Sequence, residues 1–348
     1  MSNVIRYAAV NTKIRALEGQ FLSDEDCLAL LEKDSVQGIV EYLRQTQFES
    51  AFEGVDTASL HRGQIEVYLK RYGVDKLVRL KHYFRGSQAK FLKILFMRYE
   101  VEDLKVLIRA IQSDPGYIHT LNPFIYIGRY GDLDYDRLTA SRSFAELVEN
   151  LKDTPYYSIL VPFIDEGLQG NDFLVEMALD LFYINTIINH LELLTEGERK
   201  KIKDIYGIKA DLLNIQWIYR GKKFYKLSPE VLLNYSINFG KKLSRAFVKE
   251  LCYCENAVDI EEKLRNSVYG FLFDHEKTKD IFMERRINRY LYYKLKGYKG
   301  KSTMDMVQTI VFFDLLEIEV RDIIIIIENI LYHNEDLDQI KRCLIREL

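Results

Sequence analysis

The chain is poor both in the residues that punctuate structure and in the motifs that carry chemistry. It has 5 prolines and 18 glycines among 348 residues, few turn-formers for the many tight connections of an all-β protein. Its four cysteines, Cys27, Cys252, Cys254 and Cys343, include no C-x-x-C pair, so neither a zinc site nor a disulfide framework is indicated and a reducing compartment fits. Cys252 and Cys254 stand too close to serve one tetrahedral site together without strain, and they read as half-buried thiols. The six histidines, His61, His82, His119, His190, His275 and His333, never recur at the i, i+4 spacing of a helical metal site. There is no phosphate loop, dinucleotide fingerprint or nucleophile elbow. No cofactor is expected.

Charge of one sign and long apolar runs are missing too. Lys plus Arg is 49 against 52 for Asp plus Glu, a net charge of −3, which gives the whole chain no pull on nucleic acid or anionic lipid. The N-terminal stretch lacks the roughly 7–15 apolar residues of a secretory signal. The most apolar region, Thr309 to Leu331, is broken by Asp314, Glu317, Glu319, Arg321 and Asp322, so it cannot supply the ~20 apolar residues of a membrane span. The expected location is cytoplasmic, or at a membrane through partners.

What is present is the helical period. At about 150 residues per domain the length suggests two or three domains. Gly19 suits a helix C-cap, and Ser23, followed by Asp24, Glu25 and Asp26, suits the N-cap of the next helix. Apolar residues then recur at three- and four-residue spacing through Leu43, and again through Glu146–Leu151, Phe173–Leu194 and Ile281–Leu295. Ile323 to Ile327 is a run of five isoleucines with β propensity. Its flanks extend a helix-length segment, and it reads as a helix buried on nearly all sides.

The informative feature is an internal repeat. Ser35-Val36-Gln37-Gly38-Ile39-Val40-Glu41-Tyr42-Leu43-Arg44-Gln45-Thr46-Gln47-Phe48 aligns without gaps with Ser143 through Tyr156, and a fainter third copy runs Leu264-Arg265-Asn266-Ser267-Val268-Tyr269. A second landmark follows each: Glu100 with Asp103, Asp211 with Asn214, and Glu319 with Asp322. From Thr46 to Asp103, Thr154 to Asn214 and Ser267 to Asp322 the separations are 57, 60 and 55 residues. Solenoid repeats run 20–50 residues, so a period of about 110 means triplication of a whole helical domain. The expected fold is all-α, with domains over residues 1–115, 116–225 and 226–348.

An acid followed three positions on by Asp or Asn tempts a reading as paired catalytic carboxylates. Just before an apolar run, the same pattern is that of the first turn of a buried helix, and an active site seldom needs triplicating. Glu100, Asp103, Asp211, Asn214, Glu319 and Asp322 are therefore expected as helix starts, not catalysts. Arg109 and Arg220 share one repeat position, where the third copy has Glu328, and are candidates for interaction or salt bridging. Lys294, Lys296, Lys299 and Lys301, interleaved with Tyr292, Tyr293 and Tyr298, could pass for a nucleic-acid patch; a solvated helix end is the commoner explanation.

The residues also carry a resemblance. Tyr7-Ala8-Ala9-Val10-Asn11-Thr12-Lys13-Ile14-Arg15-Ala16-Leu17-Glu18-Gly19, Arg98-Tyr99-Glu100-Val101-Glu102-Asp103-Leu104-Lys105, Thr154-Pro155-Tyr156, and Asp211 through Arg220 followed by Leu227-Ser228-Pro229-Glu230 resemble the C subunit of the archaeal and bacterial V/A-type ATPases (ATP synthases), the counterpart of the eukaryotic V-ATPase d subunit. Asp103 departs from the family's usual asparagine, and Ser267-Val268-Tyr269 has lost the threonine-proline character. The resemblance implies three helical domains about a pseudo-threefold axis, forming a funnel-shaped cup. It implies a non-catalytic subunit, one copy per complex, joining the central shaft subunits (D and F type) to the membrane rotor ring. ATP hydrolysis or synthesis would thereby be coupled to H⁺ or Na⁺ transport. Membrane contact would come only through the ring, with no nucleic acid involved. Two other classes remain open on the residues alone: a helical hydrolase or transferase using Glu100, Asp103 and histidines, and a free-standing helical adaptor binding proteins or RNA.

Overall fold

The computed structural model describes residues 3–56, 60–113, 123–126, 133–166, 171–274, 279–299, 304–332 and 337–348. Among these the chain is all-helical, with no strand. In order, the α-helices are α1 Asn3–Glu18, α2 Asp24–Leu31, α3 Val36–Leu43, α4 Arg62–Leu80, α5 Gly86–Ser113, α6 Tyr135–Thr139, α7 Phe144–Asn150, α8 Tyr157–Leu160, α9 Phe163–Glu166, α10 Asp172–Asn189, α11 Glu196–Lys223, α12 Pro229–Asn234, α13 Arg245–Cys252, α14 Ala257–Leu264, α15 Lys279–Lys299, α16 Met306–Leu331 and α17 Leu337–Cys343. None is long and apolar enough to cross a membrane.

The helices start where local chemistry allows. Ser23 caps α2, its hydroxyl accepting from the Asp26 N–H at 3.1 Å while the Asp26 carboxylate accepts from the Ser23 N–H at 2.8 Å; orphan donors at the helix start are thereby satisfied reciprocally. Thr195 and Glu198 form the same box at the start of α11. The leucine–hydroxyl landmark ends helices instead. The hydroxyls of Thr46 and Thr154 each bond, at 2.7 Å, the carbonyl of the buried leucine three residues back, Leu43 and Leu151. The Ser267 N–H bonds Leu264 C=O at 2.8 Å in the corresponding turn.

Two compact units result, residues Met1–Arg85 with Glu284–Leu348, and Gly86–Met283. The cuts fall inside the first and third of the expected domains. The expected boundary near 116 lies outside the described residues, and the one near 226 falls between α11 and α12. In the first unit α16 is the core element, packed by α1, α3, α4 and α17. Its side chains are buried around nearly the whole circumference, as the isoleucine run suggested. Ile323, Ile324, Ile326 and Ile327 are buried, while Ile325 is half-buried on the stripe shared with Arg321, Glu328 and Tyr332. In the second unit α5 packs on α10, and α11 is packed by α10, α12, α13 and α14. Cys252 and Cys254 are buried rather than half-buried, and burial pushes the Cys252 thiol up to about 12, so it is not a reactive thiolate at neutral pH.

The α16 packing separates two neighbouring substitutions. Ile326→Asp puts an unpaired charge into the core, at a cost of several kcal/mol, comparable to the margin of a whole domain, and should yield insoluble or unfolded protein. Ile325→Asp should stay soluble with a modest fall in melting temperature. Equal behaviour of the two in thermal melts would contradict this orientation of the helix.

Candidate functional site

The six landmark residues are not at helix starts. Glu100 and Asp103 lie mid-way along α5, Asp211 and Asn214 mid-way along α11, and Glu319 and Asp322 mid-way along α16. The acid-x-x-Asp/Asn pattern does precede an apolar run in each case, but another apolar run precedes it, with no proline between them, so the helix continues through. In the middle of a helix every backbone N–H is already bonded to the carbonyl four residues back. These carboxylates therefore cannot cap their own helix, and they reach sideways to other segments.

Their partners follow one scheme. The Asp103 carboxylate accepts from the Ile125 N–H at 2.7 Å, the Tyr126 N–H at 2.9 Å and the Tyr135 hydroxyl at 2.6 Å. Asn214 accepts from the Ile237 N–H at 2.8 Å and donates to the same residue's carbonyl at 2.9 Å. Asp322 accepts from the Ile345 N–H at 2.7 Å and the Arg346 N–H at 3.3 Å. Each thus clamps backbone 22, 23 and 23 residues downstream.

The first residue of each landmark takes a donor from the segment around a leucine–hydroxyl turn. The Tyr156 hydroxyl donates to Glu100 at 2.6 Å, and the Tyr269 hydroxyl to Asp211 at 2.7 Å. At the third position the aligned aromatic is Phe48, which has no hydroxyl. Its neighbour Gln47 supplies the donor, giving an amide bond to Glu319 at 2.5 Å. Asp211 also gathers the N–H groups of Lys241, Lys242 and Leu243 at 3.2, 2.7 and 3.2 Å. Gly240 has to be glycine there, because a Cβ would collide with the Asp211 carboxylate and the Leu243 carbonyl.

The cluster in the first unit carries most charge. Glu319 accepts from the Leu22 N–H at 2.6 Å, and Arg346 donates to the Leu22 carbonyl at 3.0 Å while lying 3.5 Å from Glu319 and 3.2 Å from Asp322. One guanidinium serves two buried carboxylates. Burial, against the pull of Arg346 and of the Leu22 N–H, pushes Glu319 up to about 7; burial likewise raises Asp322. Asp103 is pushed up to about 6 by burial despite its three donors, and Asp211 is raised for the same reason.

Chemically these are spent groups. A general acid or base must reach a substrate proton, whereas these carboxylates are buried and both oxygens of Asp103, Asp211, Glu319 and Asp322 accept from donors of the chain itself. Among the described residues no three His, Cys, Asp or Glu side chains are grouped to hold a metal ion. Of the histidines, His61 precedes α4, His82 lies in the short 3₁₀ turn Lys81–Tyr83 that follows it and His190 follows α10, while His119, His275 and His333 lie outside the described residues. The basic-aromatic segment forms the last turns of α15. There Lys294 lies over the Tyr290 ring and Lys296 over Tyr292, at 5.0 and 5.1 Å, and Lys299 pairs with Glu18 at 3.7 Å; Lys301 lies outside the described residues.

Arg109 and Arg220 part company. Arg109 donates to Glu176 on α10 at 2.7 Å, and at the third repeat position Glu328 pairs, with the charges exchanged, to Arg62 on α4 at 2.5 Å. Arg220 lies instead over the Phe173 ring, 5.9 Å from its centroid. Tyr135 and Arg346 were not singled out from the sequence, and Gln47, Tyr156 and Tyr269 stood out only as repeat positions, without a role. The aligned position of Phe48, Tyr156 and Tyr269 was the available signal for two of them, and Arg346 had none.

A family model described as "ATP synthase (C/AC39) subunit" matches residues 10–340. Curated relatives, each named as the C subunit of an A-type ATP synthase, include that of Methanocaldococcus jannaschii, 24% identical over 92% of this chain and 82% of the relative. Those of Methanosarcina barkeri and Methanosphaera stadtmanae are each 22% identical, over 82% and 92% of this chain and 78% and 83% of theirs.

The raised carboxyls give stability a definite pH dependence. The ordinary values are 4.5 for Glu319 and 3.8 for Asp103. Between those and the folded values of about 7 and about 6 the folded chain holds more protons than the unfolded one. Their contribution is complete below the unfolded values and is lost as pH rises through the folded ones. The melting temperature should therefore be higher at about pH 5.5 than at about pH 8, and Glu319→Gln should shrink the difference; a melting temperature that falls on acidification over this range would refute the assignment. Separately, Tyr156→Phe or Tyr269→Phe removes a bond to a charged acceptor and should cost about 1.5–3 kcal/mol in urea unfolding.

Proposed function

The chain belongs to the ATP synthase C/AC39 subunit family, and from that premise we propose that it is a non-catalytic coupling subunit of a rotary V/A-type ATPase. It joins the central shaft subunits of D and F type to the membrane rotor ring, one copy per complex, so that shaft and ring turn together. Hydrolysis or synthesis of ATP is thereby coupled to H⁺ or Na⁺ movement through other subunits. The observation that carries the reading is a family match running almost end to end, over residues 10–340, in a chain with no phosphate-binding motif. The spent state of its buried carboxylates supports it, because a torque-transmitting part needs stiffness and not a reactive group.

The three-domain organisation over 1–115, 116–225 and 226–348, and its closure into a funnel-shaped cup about a pseudo-threefold axis, belong to the same proposal. The 22-, 23- and 23-residue clamps made by Asp103, Asn214 and Asp322 support three like units. So do the donors that Glu100, Asp211 and Glu319 take from three equivalent turns. A peripheral position at the cytoplasmic face of the membrane, held through the ring, completes the reading. Among the described residues no helix would cross the bilayer unaided.

Joints that hold against load need sizeable interfaces, and specific stable ones bury roughly 1,200–2,000 Å² in total. Omission of this subunit from a reconstituted complex should leave hydrolysis by the soluble head largely intact and abolish ATP-driven ion pumping into vesicles. Unchanged pumping per ATP without it would overturn the coupling role, and loss of hydrolysis by the isolated head would assign it a part in the chemistry.

A further inference from the structure

The three positions 109, 220 and 328 do not behave alike, and the exception lies beside two exposed aromatic rings of the second unit, Phe224 and Tyr225. Arg109 and Glu328 are neutralised by Glu176 and Arg62. No carboxylate pairs with the exposed Arg220 among the described residues, and its guanidinium lies over Phe173. Phe173 in turn stacks on Tyr225, with centroids 4.4 Å apart and planes 5° from parallel. Phe224 next to it is 55% exposed and Tyr225 40% exposed, a large share of two rings to leave in water at the end of a 28-residue helix.

The patch is held in place. The Leu227 N–H reaches back to the Gly221 carbonyl at 3.0 Å, which forces the intervening turn to close tightly. Lys226 takes the left-handed backbone conformation with φ 50°, an unusual state for a residue with a Cβ. Gly221 carries no side chain where Leu232 and Leu227 press on the helix. On the other side Lys223 is fixed by Asp280, at 2.6 and 2.8 Å, and by the Tyr219 hydroxyl at 2.9 Å. Its own charge is thus used, although its ammonium also lies 5.6 Å from the centre of the Phe224 ring, whereas Arg220 and the exposed Lys226 make no ion pair among the described residues.

We propose that Arg220, Phe224, Tyr225 and Lys226, backed by Phe173, form a preorganised docking platform for an acidic segment of another protein subunit; this rests on the coupling role above and names the surface of this chain that serves it. Exposed aromatic rings fixed beside an arginine are the composition of interface hot spots, and preorganisation spares the ordering cost of binding. Two spare cations call for a partner with negative charge. A protein partner is favoured over anionic lipid because so few cations make a weak electrostatic anchor and the chain as a whole carries a net charge of −3.

The test uses the full chain carrying both Arg220→Glu and Phe224→Ala, titrated separately against the purified shaft subunits and the purified rotor ring, with phosphatidylglycerol vesicles as a third probe. Arg109→Glu serves as a control. The double variant should keep the wild-type melting temperature and bind one of the two protein partners at least tenfold more weakly, with the wild-type affinity falling as salt is raised. Arg109→Glu should lower the melting temperature and leave both affinities unchanged. Unaltered binding of both partners by the double variant, when the wild type binds them, overturns the platform and leaves the coupling role standing. A loss confined to the vesicles overturns it in favour of a lipid contact. Failure of the wild type to bind either shaft or ring overturns the coupling role and the platform together.

Discussion

A carboxylate buried in the middle of a helix is the constraint on which this structure turns. Removing an ionised carboxyl from water is costly unless it is hydrogen-bonded or neutralised, and a mid-helix position offers no N–H from its own helix. Asp103, Asp211 and Glu319 therefore draw in backbone and hydroxyl donors from segments far along the chain. Those segments are short helices and turns whose apolar side chains, Phe124, Ile125, Ile237, Leu344 and Ile345 among them, are themselves buried, so packing and the polar clamp act together. Their positions follow from both, and the long helices α5, α11 and α16 act as the posts to which the rest is tied.

Breaking such a bond costs more than forming it gains, because the partner left behind is a buried charge. A single register then satisfies the cluster, and a slipped one leaves several groups unpaired at once. In the first unit the same logic joins the two ends of the chain. Leu22, near the N-terminal side, is held through its N–H by Glu319 and through its carbonyl by Arg346. Residues 1–85 and 284–348 share one core, and this cluster is the polar seam between them. Burial outweighs the pull of the shared Arg346 guanidinium and raises both acids, Glu319 to about 7, so Glu319 makes the seam sensitive to proton uptake near neutral pH.

Much of this was legible in the sequence and the rest was hidden for a physical reason. The helical period, the Ser23 cap and the isoleucine helix depend on neighbours within about four residues, and they came out as read. The recurrence of leucine with a hydroxyl three places on, and of acid with Asp or Asn three places on, was visible as spacing. The meaning of the second landmark was not: an i, i+3 polar pair fits a helix start and a helix middle equally well, and the choice depends on donors more than twenty residues away. Arg346 illustrates the limit, since nothing around it in sequence points to Glu319 and Asp322. The exchange of Tyr for Gln47 beside Phe48 is a further case, legible only once the aligned tyrosines are seen to donate.

A part that transmits torque and a part that does chemistry make opposite demands on a buried carboxylate. Catalysis needs a lone pair or proton held ready and accessible, which leaves the group under-bonded and the surrounding fold less stable. Stiffness needs every lone pair engaged, so that deformation breaks several bonds together. Asp103, Asp211, Glu319 and Asp322 lie toward the second extreme, with donors from the chain on both oxygens of each. What remains under-used is on the surface, where Arg220 is the one of three equivalent positions not neutralised by an ion pair among the described residues. Positions that recur along a sequence and keep the same buried bonds serve the fold, and those that recur but differ at the surface are free to serve something else. The departure at Arg220 therefore speaks for contact with another molecule, whereas agreement among the buried acids speaks for the fold.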